Sequence, residues 1–216
     1  MSNPALDRQI KIALRDDQKA EKFTEYIAEL AAQIVNATLK FAEDVKSTYE
    51  SIPKRRLGDK NFDEVDQAKL ALGAFSFFMH VLDRYFIPMS TEIMRDMVFD
   101  FIFANVVERV YARSFGGPLA QTEKFVLSHF DRLTSQLADA PSIFGEGAEE
   151  GNSAMWRAGR AICEQDLGRD DRRLLNIVGT HLMRGVESLA LADHIDAWRK
   201  CFACQAIFVK PHRPFL

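Results

Sequence analysis

The chain has 216 residues, 47% hydrophobic and 27% charged, and its 28 Lys and Arg nearly balance 31 Asp and Glu for a formal charge of -3. That length buries a core without disulfide staples, and the slightly acidic balance argues against a nucleic-acid binder, which concentrates Lys and Arg to neutralise phosphates. Seventeen phenylalanines against four tyrosines and two tryptophans point to a dry, aromatic interior.

The N-terminal MSNPALDRQIKIALRDD lacks the basic start and apolar core of a secretory leader. No stretch reaches the roughly 18 apolar residues of a membrane span, since MVFDFIFANVV is broken at Asp100 and Asn105. A cytoplasmic address with neither membrane nor nucleic acid as partner is the expectation. The three cysteines, Cys163, Cys201 and Cys204, fit it, being too few and odd in number for a disulfide framework.

From Phe23 the apolar residues run Phe23, Ile27, Leu30, Ile34, Ala37, Phe41 and Val45, steps of three and four that hold one stripe. Asp17 to Ser51 is therefore predicted to be a helix, a rod of roughly 50 Å at about 1.5 Å per residue. Pro53 ends it, and PKRRLGDKN reads as a loop. A second helix is expected after a cap at Asn61 or Asp63 and runs to Ile87, where Pro88 stops it. Ser90 or Thr91 can cap a third, which continues until Gly116, Gly117 and Pro118 break the pattern. The short link predicts a tight antiparallel hairpin of the second and third helices.

LAQTEKFVLSHFDRLTSQL makes a fourth helix, and residues 138–153, rich in Gly and Glu, read as a flexible surface loop. AMWRAGRAICEQDL is a short helix, and Asp170 or Asp171 can cap a last long one with a break expected near Gly185. Residues 209–216 carry two prolines and read as an extended tail. No internal repeat is visible. The fold class is an all-α, antiparallel bundle of about six or seven helices in a single domain, residues 1–216, with a long N-terminal helix. A rod of that length overruns a small bundle, so a homodimer is expected.

The chemistry-bearing residues concentrate in FSFFMHVLDRYFIPM. At 100° per residue, Ser76, His80, Asp83 and Arg84 share one narrow stripe of an otherwise apolar helix. Asp96 and Asp100, with Glu92 and Arg95, offer a complementary stripe on the third helix. In a hairpin turning at residues 88–90, facing residue numbers sum to about 178. Asp83 is then expected near Arg95, Arg84 near Glu92 and Asp96, and His80 near Asp96 and Asp100.

Such a seam fixes helix register. It can also line a ligand groove in which Arg84 holds an anion. The third reading is a metal site of His80, Asp83, Asp96 and Asp100, against which Arg84 and Arg95 compete for the same carboxylates.

Other signals are weaker. No Glu has a His three residues later, so the Glu-x-x-His pairs of ferritin-like carboxylate proteins are absent. Cys201 and Cys204 have CxxC spacing without the second pair of a zinc ribbon or the strand of a thioredoxin-like site. His129 and His181 read as structural. No GxSxG, HExxH or Cys/His signature occurs.

The sequence therefore points to a protein that acts by binding a protein partner or a small ligand, in an adaptor or regulatory role and with no cofactor. The alternative is a metal-dependent enzyme centred on His80 and its neighbouring aspartates.

Overall fold

The computed structural model describes residues 8, 10–11, 16–52, 61–86, 92–111, 119–145, 151–194 and 196. Of these 85% are helical and none is in a strand. Six α-helices are described: α1 Asp17–Glu50, α2 Glu64–Phe86, α3 Glu92–Val106, α4 Leu119–Leu137, α5 Ala154–Arg160 and α6 Arg172–Ser188. Two of them widen at their C-terminal ends into π-type turns, Val107–Tyr111 after α3 and Ala161–Asp166 after α5.

The helix starts follow the local chemistry. Asp16 accepts from the backbone N–H groups of Gln18 and Lys19, Asp63 from Asp66 at 2.8 Å, and Asp171 from Arg173 at 2.8 Å. Each carboxylate satisfies N–H groups that have no partner within the helix. The break expected near Gly185 falls slightly later: α6 ends after Ser188, Ala190 takes a positive φ of 44°, and residues 191–194 are helical again. Gly185 lies within α6, and the Phe78 ring occupies the space a side chain there would need. The expected stops at Pro53 and Pro88, the caps at Ser90 or Thr91, the break at Gly116 to Pro118 and the tail 209–216 lie outside the described residues.

The helix α2 is the axis of the bundle, and every residue from Leu70 to Leu82 is buried. It packs on α1, α4, α5 with its wide turn, and α6, so no side of its Leu70–Leu82 stretch meets solvent and the sequence there is apolar nearly all round. The order of contacts sets the directions. Tyr49 and Phe62 stack edge to face at 5.3 Å where α1 ends and α2 begins, so these two run antiparallel. Bonds from Ser76 to His129 and from Arg84 to Ala138 and Ala140 run up α2 and α4 together, making that pair parallel. The tight α2–α3 hairpin expected from the short link is not the main packing of either helix: α3 lies chiefly on α1 and meets α2 at few positions.

The long helix α1 is covered within one chain. Its buried residues run from Ala20 to Tyr49, against α2, α3 and α6, so the rod does not overrun the bundle. Its antiparallel contact with α6 and the residues flanking it carries polar latches: Tyr49 donates to Asp171 at 3.0 Å, Thr48 lies 3.1 Å from His181 Nε2, and Gln33 lies 2.8 Å from His194 Nε2. At the base of α2, Arg169 pairs with Asp66 at 2.7 Å and lies 4.2 Å above the Phe62 ring, a cation held by charge and by an aromatic face together. The expected aromatic interior is present where Phe75 of α2 packs against Phe103 and Tyr111, and Phe103 against Phe130.

The segment 138–153, expected as a flexible loop, is held at both described ends. Ala140 and Ser153 are buried, Ile143 and Phe144 pack on the core, and Ser142 and Ile143 accept from Ala154 and Met155 N–H groups. Arg157 pairs with Asp139 beside them.

Candidate functional site

The polar stripe of α2 points mainly at α4, one helix further on than the hairpin expectation placed it. Ser76, His80 and Arg84 follow one another at four-residue steps along that face. Ser76 Oγ lies 3.0 Å from the Leu72 carbonyl and 3.3 Å from His129 Nδ1. On its other side His129 Nε2 is 3.0 Å from Asp166 Oδ2, and Arg132 donates to Asp166 Oδ1 at 2.6 Å and to Gln165 at 2.8 Å. Asp166 only accepts, so the imidazole donates to it from Nε2, and Nδ1 faces the Ser76 hydroxyl.

A serine, a histidine and an aspartate in hydrogen-bonded succession have the composition of a hydrolase triad, yet the surroundings deny that chemistry. Ser76 is wholly buried in mid-helix, and its single proton is shared between the Leu72 carbonyl and the imidazole. A nucleophile must reach a substrate carbonyl, and Ser76 has no surface to offer. The succession is a closed polar seam that ties α2, α4 and the turn after α5.

One turn on, His80 is 6% exposed and its Nε2 has no hydrogen-bond partner among the described residues. Burial, and secondarily the charge of Arg84, pushes its pKa down to about 4, so the ring is neutral. Arg84 does not meet Asp96 as expected. It donates to the carbonyls of Ala138 and Ala140 at 3.2 and 2.8 Å, closing the C-terminal end of α4, a role that suits a cation at a helix C-terminus. The Glu92 side chain is outside the described ones.

Asp83 and Arg95 pair as expected, through two bonds of 2.6 and 3.3 Å between α2 and α3. Asp96 and Asp100 are exposed on α3, and no bond joins either to His80. Partial burial, and then the neighbouring Asp96, raises the Asp100 pKa. The four residues of the supposed metal site are thus dispersed, and no three His, Cys, Asp or Glu side chains converge on a cation-sized space among the described residues.

Cys163 is buried, and its thiol is pushed up to about 12 by burial and by Glu164, Asp171 and Asp166, which leaves it unreactive. Cys201 and Cys204 are outside the described residues.

An open groove lies elsewhere, where α1, α2 and the Val107–Tyr111 turn meet. Its volume is about 360 Å³, with Leu39 and Ala42 on one side, Ala68 and Ala71 on another, and Val110 and Tyr111 closing it. Glu43, Glu64 and Gln67 stand on its rim. Leu39 is 42% exposed, and Val65 beside the rim is 58% exposed.

The sequence signal for this groove is faint. Ala42, Ala68 and Ala71 read as ordinary helix formers, and only their juxtaposition across two helices leaves a hollow. The seam partners His129, Arg132 and Asp166 are separated from Ser76 by long stretches of chain, so helical spacing alone does not associate them. No protein-family model, curated protein or solved structure matches this chain.

Proposed function

We propose that this bundle acts by binding, in an adaptor or regulatory role, and that it holds a small organic molecule in the groove between α1, α2 and the Val107–Tyr111 turn. The observation that carries this reading is the contrast between the two polar regions. The Ser76–His129–Asp166 seam is closed and internally bonded, whereas the groove is open, mixes apolar side chains with the polar Glu43, Glu64 and Gln67, and its volume of about 360 Å³ falls in the range of small-molecule sites.

Nine described residues line the groove, well short of the roughly 20 per side of a stable protein interface, which favours a small ligand over a folded partner. Catalysis has no support from the described His, Asp and Cys side chains, each of which is buried, bonded within the fold or dispersed.

The test is the binding of a neutral, environment-sensitive dye such as Nile red to the full chain. The expected result is one site per chain, with affinity reduced at least about tenfold in Ala68→Leu, whose side chain fills the groove, and in Leu39→Asp, which makes its wall polar. Unchanged affinity in both folded variants, or no saturable binding, would overturn the reading.

A further inference from the structure

We infer that the groove selects a cationic ligand, a molecule with an apolar body and a protonated amine, an inference that rests on the binding reading above. The lining combines the apolar Leu39, Ala42, Ala68, Ala71 and Val110 with polar groups, and its charged side chains, Glu43 and Glu64, are both acidic. Glu43 comes from α1 and Glu64 from α2, so the two carboxylates face the opening from different helices. Both are exposed, and neither is in an ion pair or hydrogen bond among the described residues.

Carboxylates committed to internal pairs, as Asp66 is to Arg169, have little to give a ligand. These two are uncommitted among the described residues. The lysines next in sequence to lining residues, Lys40 and Lys69, do not line the groove, and no described lining residue is a cation.

An ammonium group beside these carboxylates, at the edge of a partly apolar hollow, gains charge-assisted hydrogen bonds while its hydrocarbon part leaves water. Gln67, one turn along α2 from Glu64, supplies a further amide oxygen on the same rim. An anionic ligand meets repulsion at the same place. This is the reverse of the anion-binding role that Arg84 suggests from sequence, and Arg84 is occupied by the Ala138 and Ala140 carbonyls.

The experiment follows amide shifts of the ¹⁵N-labelled full chain during titration with three probes of one shape and three charges: 3-phenylpropylamine, 3-phenyl-1-propanol and 3-phenylpropionate. The expected order is amine, then alcohol, then acid, with shifts centred on Ala42, Ala68, Ala71 and Val110. The amine should bind at least about fivefold more tightly than the alcohol at low salt, and the advantage should shrink as salt screens it.

Glu43→Gln with Glu64→Gln should erase that advantage without moving the alcohol, and Gln67→Glu should enlarge it. Equal binding of amine and alcohol, indifferent to these changes, would overturn the charge selection and leave the groove as a binding site. A preference for the acid would likewise overturn it. No shift at the groove with any probe would overturn both the selection and the binding reading.

Discussion

His129 Nε2 lies 3.0 Å from Asp166 Oδ2, and both side chains are almost fully enclosed, at 9% and 7% exposure. This contact joins α4 to the wide turn after α5, and through Nδ1 it reaches Ser76 on the central helix. Removing one member of a buried polar set costs more than the net value of its bonds, because the others lose their partners without regaining water.

Asp166→Ala is accordingly expected to cost about 2–4 kcal/mol, since it strands His129 and frees Arg132. Ser76→Ala should cost about 1 kcal/mol or less, because Leu72 keeps its helical bond and His129 keeps Asp166. Urea denaturation measures both. Equal small losses would mean that the seam does not hold the fold.

The contact of α2 with the turn after α5 depends on Gly73. A methyl group there would sit closer than 3.0 Å to the Ile162 side chain. Gly73→Ala gains helix propensity of about 1 kcal/mol, yet overpacking of about 1–3 kcal/mol opposes it, so a net loss is expected. Ile162→Val in the same chain should return part of the loss, and additive effects of the two changes in a double-mutant cycle would contradict the contact.

Much of this architecture is legible in the sequence, and the parts that are not have a common cause. Periodicity exposes each helix and its stripe, because it depends on local spacing alone. The caps Asp63 and Asp171 are equally local.

The pairing of Asp83 with Arg95 follows from the hairpin geometry, whose numbers sum to 178. The same geometry misplaces Arg84 and His80, since the main neighbour of that face is α4 and not the next helix in the chain. Which helices flank the axis is decided by the whole bundle, including close approaches at Gly73 and Gly185 that no spacing rule reveals.

Asp100 stands on the exposed side of α3. In a buried register-setting network its loss would be costly, but Asp100 is exposed and its pKa is raised, so the folded surroundings disfavour its charge. Asp100→Asn should therefore change stability by no more than about 0.5 kcal/mol at neutral pH, and a large loss on urea denaturation would restore the network reading.

His80 gives the bundle an acid limit. Its ordinary value of 6.5 falls to about 4 in the fold, through burial first and Arg84 second. The unfolded chain takes up the proton near its ordinary value, so this contribution is whole above it and is lost as pH falls towards the folded value. The loss amounts to about 3 kcal/mol at roughly 1.4 kcal/mol per pKa unit. His181 and His194 are shifted the same way by burial and add to the slope. Denaturation midpoints between pH 7.5 and pH 4 should fall less steeply in His80→Leu than in the wild type, and parallel curves would refute the buried, neutral assignment.

The central claim is a division of labour, with the groove for binding and the Ser76–His129–Asp166 seam for stability. The most direct measurement is the affinity of Nile red for Ala68→Leu and Asp166→Ala, taken side by side well below their melting temperatures. The account predicts at least about a tenfold loss of affinity in Ala68→Leu with little change in melting temperature. It predicts near wild-type affinity in Asp166→Ala, whose melting point drops by about 4–16 °C. Loss of binding in Asp166→Ala at a temperature where it remains folded, with binding intact in Ala68→Leu, would contradict it.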